Sequence, residues 1–171
     1  EIDVFRKTDL FSNLYNAFLE ASVVGTAIIG MQYDAQKKID FIPLTIGQYY
    51  LSEGPNGFID TCYRIFSMSA GQMLEQFGRE NLPERVLNAL NNDNEDQLFN
   101  VIQAVEPNKE YLSHWVNAFN KPYISAYFLE NSNDDDKFLE YKGLSYFPFL
   151  VARWDRDLSS AYGGGIGETI S

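Results

Sequence analysis

The feature that most constrains this chain is a change of hydrophobic period at Gly25. From about Asp3 to Val24, Leu10, Leu14 and Phe18 recur at four-residue spacing, with Phe11, Tyr15 and Leu19 one step around the same side. That repeat predicts an amphipathic helix whose large apolar side chains face a core. Gly25 stands where a helix closes its last turn, and Thr26 to Tyr33, rich in Ile, then reads as a strand. Periodicity there changes from helical to extended.

The rest of the chain extends the same reading. Lys37–Leu44 and Gln48–Glu53 are expected strands, followed by the turn signal Gly54-Pro55-Asn56-Gly57 and a strand over Phe58–Met68 covered on both sides. Ser69 with Gln72 three positions on has the form of a capping box, opening a short helix that ends at Gly78. A second helix is expected near Asn81, with Pro83 and Glu84 in its first turn. Phe99–Glu106, Tyr123–Glu130, Lys137–Tyr141 and Phe149–Arg156 then form a second β block. The predicted fold class is α+β: an N-terminal amphipathic helix and mostly antiparallel strands in two β-rich blocks, with a short two-helix insert.

With 171 residues, 45% of them hydrophobic, the chain can bury one sizeable core, so a single domain over 1–171 is expected. The lone cysteine, Cys62, can form no internal disulfide and no Cys-based metal site, so it is read as a small buried apolar group. No apolar run approaches the ~18 residues of a membrane span, and the N-terminus lacks signal-peptide order; a soluble chain with no membrane partner is expected. The chain starts at Glu1 and ends just after a glycine-rich run, and reads as a piece cut from a longer polypeptide.

Charge narrows the partners. The 24 acidic residues against 13 basic ones give a net charge of −11, whereas phosphate binding draws on Lys and Arg. Sequence-specific nucleic-acid binding is disfavoured, although an acidic wall lets a polyanion pass without sticking.

Catalytic constellations are not evident. A triad or a histidine-centred metal site needs several convergent groups, and His114 is the chain's single histidine. Asn131–Asp136 resembles a calcium loop only in composition, since Asp136 and Lys142 stand where that loop requires Gly and Glu. Tyr162-Gly163-Gly164-Gly165-Ile166-Gly167 lacks the Lys-Ser/Thr of a phosphate loop. No catalytic residue, cofactor or metal is predicted.

That glycine run nonetheless carries a resemblance. Phe147-Pro148-Phe149-Leu150-Val151-Ala152-Arg153-Trp154-Asp155, followed by Tyr162 to Gly167, resembles the hallmark of podovirus-type bacteriophage portal (head-to-tail connecting) proteins, an apolar strand ending in Arg-Trp and then Tyr-Gly-Arg-Gly-Pro-Gly. Gly164 and Ile166 depart from it, standing where the family has Arg and Pro. Gly57–Ala70, Gln76-Phe77-Gly78 and Leu82-Pro83 are similar to the family's strand-to-helix stretch, and Val101–Pro107 and Lys121–Glu130 fit in order.

The resemblance implies the wing region of a structural, non-enzymatic subunit of a ring, usually dodecameric, at one capsid vertex. Its implied partners are further copies of itself and the capsid, scaffolding, terminase and tail proteins. DNA would pass through the channel, the stem and clip would follow residue 171, and the protein would belong to the virion after assembly in the host cytoplasm. The motif residues are Arg153, Trp154, Tyr162, Gly163, Gly165 and Gly167. Arg153 is expected to pair with an acidic group or stack on the Trp154 ring, the two anchoring the strand end, and the glycines to provide backbone freedom; an ordinary half-buried Arg–Trp pair is the alternative. Two other classes stay open: an interaction module of an unrelated assembly, and a carboxylate-dependent hydrolase or transferase.

Overall fold

The computed structural model describes residues 10–32, 40–114, 117, 119–131, 138–156 and 160–165. The chain is a mixed α+β protein whose contacts group into two compact units, one from residues 1–60 with 148–171 and one from Thr61–Phe147.

In the first unit, helix α1 (Leu10–Val24) leads into strand β1 (Thr26–Gln32), which lies between β2 (Asp40–Leu44) and β8 (Phe149–Arg153) in an antiparallel three-stranded sheet. The register sets Gly30 opposite Ile42 on one side and Phe149 on the other. Pro43 sits in the outer strand β2, where a residue without an N–H costs no ladder bond. α1 packs on the face carrying Ala27, Ile29 and Phe41, using Ala17, Ala21 and the half-buried Leu14, and the Asn13 side-chain amide donates to the Phe41 carbonyl at 2.6 Å.

The helix therefore meets the sequence expectation only in part: Leu14 of the expected stripe faces the sheet, but most of its large apolar side chains do not. Phe11, Tyr15, Phe18 and Leu19 are exposed, and two alanines make the buried contact. Small side chains let the helix approach the sheet, and Phe11, Tyr15, Phe18 and Leu19, further round the helix, are left outside. Residues 3–9 of the expected helix and 37–39 of the expected second strand lie outside the described residues.

β3 (Tyr49–Glu53) reaches the predicted turn, closed by Gly57 N–H to the Gly54 carbonyl and Gly54 N–H to the Phe58 carbonyl, both 2.9 Å. Gly57 takes a φ of 69°, which glycine adopts without steric cost. β4 (Ile59–Ser69) starts there and carries the chain into the second unit.

In the second unit β4, β5 (Leu98–Pro107), β6 (Tyr123–Leu129) and β7 (Glu140–Leu144) form an antiparallel meander in chain order. Between β4 and β5 lie α2 (Ala70–Phe77), a 3-10 turn (Arg79–Asn81) and α3 (Glu84–Asn91). The capping box is present: the Gln72 N–H donates to Ser69 Oγ at 3.2 Å, and the Ser69 N–H donates to Gln72 Oε1 at 2.9 Å. Met73, Phe77, Leu82, Val86 and Ala89 of this segment bury against Met68, Val101, Tyr127, Leu129 and Leu139. The opposite face, with Tyr63 and Tyr141 exposed, is not sealed in the same way, contrary to the expected two-sided cover of β4.

A second correction concerns topology. The strand after Pro148 was expected to complete the second β block, but β8 pairs with β1 from Thr26 opposite Arg153 to Gly30 opposite Phe149. Chain neighbours usually pair; here the apolar run Phe149–Arg153 instead supplies the outer partner that β1 lacks.

Candidate functional site

The Arg-Trp and glycine motifs meet at the end of α1. Gly25 has a φ of 85° and closes the helix, its N–H bonding the Ala21 carbonyl at 2.9 Å. Its carbonyl accepts from the Trp154 N–H at 2.8 Å, just past the end of β8. Beyond Trp154 the short strands β9 (Asp155–Arg156) and β10 (Gly163–Gly164) pair antiparallel, bringing the glycines back onto Gly25.

This contact is backbone on backbone. A Cβ on Gly25 would collide with Gly163, Gly164 and Gly165, and one on Gly163 would stand 2.8 Å from the Asp155 carbonyl oxygen. A Cβ on Gly165 would stand 2.9 Å from both the Gly25 nitrogen and the Val23 carbonyl carbon. The Gly163 N–H donates to the hydroxyl of the fully buried Thr26 at 2.7 Å. Gly163 and Gly165 are buried and neither adopts a positive φ, so glycine serves here through its lack of a side chain, and the expected backbone freedom is not the reason. Gly167 and Ile166 lie outside the described residues.

Tyr162 lies beside β3. Its hydroxyl accepts from the Leu51 N–H at 3.0 Å, and its ring stacks on Tyr49 with centroids 6.4 Å apart. Arg153 reaches the same hairpin: one guanidinium nitrogen pairs with the Glu53 carboxylate and the other donates to the Gly57 carbonyl at 3.3 Å. With the two side chains only 12% and 23% exposed, the pair is largely shielded from water. Of the two arrangements open to Arg153, pairing with an acid is the one found. The Trp154 ring is 63% exposed, so a core position is excluded and its anchoring contact is the main-chain N–H.

The groups whose protonation is displaced lie elsewhere and are not reactive. Burial pushes the Cys62 thiol up to about 12, against the opposing charge of Arg64, and pushes the Tyr127 phenol up to about 12 with help from Glu140. Both stay protonated and neutral near pH 7, so the fully buried Cys62 is no nucleophile. Burial also lowers the Arg64 guanidinium, which lies 4.2 Å over the Phe66 ring. Among the described residues no three His, Cys, Asp or Glu side chains come together as metal ligands. His114 is exposed, and Trp115 and 132–136 of the acidic loop lie outside the described residues. No described helix is long and apolar enough to cross a membrane.

Sequence reasoning missed Glu53, Thr26 and the second role of Gly25. Gly25 was legible as a helix terminator, but nothing local announces that it is also the floor under Gly163 and Gly165.

Hydrogen bonds that tie strand ends, a hairpin and a helix terminus to one another define an architectural element, in which side chains hold main chain in place. The chain belongs to the bacteriophage head to tail connecting protein family, whose sequence profile matches residues 2–171. It is 34% identical over 160 residues to the "Portal protein" of Salmonella phage epsilon15, covering 94% of this chain and 29% of that protein. It is 26% identical over 151 residues to the "Probable portal protein" of Bordetella phage BPP-1, covering 88% of this chain and 27% of that protein. The chain thus spans under a third of the length of these relatives.

Proposed function

We propose that this chain is the wing region of a portal protein, a non-catalytic subunit of a ring at one capsid vertex that serves DNA packaging and then joins head to tail. The observation that carries the reading is the family match over residues 2–171, supported by a motif in which Arg153, Tyr162, Gly163 and Gly165 are all engaged in holding the fold. The ring is a dodecamer of the full-length protein, and its other partners are capsid, scaffolding, terminase and tail proteins. Stem and clip belong to the remaining length. The protein is a virion component assembled in the host cytoplasm.

The net charge of −11 fits a surface past which DNA moves without being held. Electron microscopy of the full-length protein tests the ring: particles with a central pore and rotational symmetry are expected, and a monomer or a poreless aggregate would refute it. The purified chain is expected to show no affinity for duplex DNA at physiological salt. A micromolar, salt-sensitive isotherm would contradict the non-adhesive surface.

A further inference from the structure

Helix α1 is apolar around most of its circumference, which is the pattern of a helix covered on more than one side. Its inner face is Leu14, Ala17 and Ala21. Its outer face carries Phe11, Tyr15, Phe18, Leu19 and Val23, each between 50% and 69% exposed. The helix has a single charged residue, Glu20, and that carboxylate accepts from the Ile46 N–H at 2.6 Å. The stripe presents on the order of 500 Å² of apolar surface, at the upper end of the roughly 300–600 Å² that the largest patch of a monomer shows, where such patches are often binding sites, and over half of the roughly 800 Å² that one partner contributes to a stable interface.

A second patch of the same chemistry lies in the second unit. The Phe119 ring stacks on Tyr141 with centroids 6.4 Å apart, and Phe138 lies 5.6 Å from Tyr141; all three rings are exposed. Tyr141 projects from the sheet face opposite the one covered by α2 and α3, since its register partner Ala126 alternates with the core residue Tyr127.

We propose that the outer face of α1 on one copy of this chain docks on the Phe119–Tyr141–Phe138 cluster of the next copy. The inference rests on the ring reading and names the surfaces that would build it. Copies of a chain with net charge −11 repel one another, so self-contact is favoured where side chains carry no charge, and both patches meet that condition. Two unlike patches on one chain are also what a closed ring needs, because each subunit must offer one surface and receive another. A two-fold dimer would need only one self-complementary patch.

The test is cross-linking of the full-length protein carrying F18C together with F138C, treated with a bismaleimide. Any cysteine outside residues 1–171 is first replaced by serine, and Cys62 is fully buried and stays silent. A ladder of covalent multimers is expected from the double variant, with no product above monomer from F18C or F138C alone. Y15C with Y141C provides an independent pair at the same contact. Intact rings by electron microscopy with no ladder from either pair would overturn the docking surfaces and leave the ring reading standing. Dimers from F18C alone would show that α1 meets α1, also overturning it. Absence of any ring would remove the reading on which the inference rests, and the inference with it.

Discussion

Residues 61–147 make their unit from one uninterrupted stretch, whereas the other unit closes only when residues 148–165 return to β1 and Gly25. The continuous unit is held by side-chain volume: Met73, Phe77, Val86, Val101 and Leu129 fill one face of a meander whose strands pair in chain order. The discontinuous unit depends as much on what is missing, with glycines allowing main chain to touch main chain, Thr26 accepting from the buried Gly163 N–H, and Arg153 tying β8 to Glu53 and Gly57. Hydrophobic burial tolerates approximate shapes, while a backbone contact tolerates no added atom.

Substitutions can break this contrast, and the largest effect is expected at Gly25. Gly25→Ala combines a left-handed φ with a backbone collision and should destabilise the first unit by roughly 2–6 kcal/mol. Native-state hydrogen exchange would show protection lost in β1 and β8 and retained in β5 and β6; equal loss everywhere would mean the two units are one cooperative structure. Met73→Ala should cost roughly 2–5 kcal/mol by leaving a cavity, with the reverse pattern of protection, and a loss centred on β1 would defeat the comparison.

Smaller effects sharpen it. Arg153→Met removes the bonds to Glu53 and Gly57 and takes the guanidinium charge from a carboxylate only 23% exposed, which should cost about 1–3 kcal/mol in urea unfolding. An unchanged midpoint would show that the glycine contact holds the hairpin without it. Trp154→Ala should shift stability by no more than about 0.5 kcal/mol, because the ring is exposed and the main-chain bond survives. A loss of several kcal/mol would place the ring in a core after all.

What the sequence made legible follows the reach of the interactions. The capping box at Ser69 and Gln72, the turn at Gly54–Gly57 and the helix stop at Gly25 each depend on a few adjacent residues, and all were readable. The partner of β8, the inward face of α1 and the purpose of Gly163 and Gly165 depend on residues more than a hundred positions apart or on the close approach of a sheet. Periodicity alone favoured the large side chains of α1 as its buried face, because it registers hydrophobicity and not the distance to the neighbouring strand. The motif residues were found as a set through family resemblance, while their partners Glu53 and Thr26 carry no local signal.

The broken path of the first unit also sets an order in time. During synthesis, at roughly 5–20 residues per second, all four strands of the meander have emerged while β1 still waits for the segment that pairs with it from Thr26 to Gly30. Until then one border of β1 offers unpaired N–H and C=O groups to any neighbouring polypeptide, the kind of surface on which aggregation starts. The nascent chain is therefore most vulnerable in the interval between the emergence of β1 and that of β8.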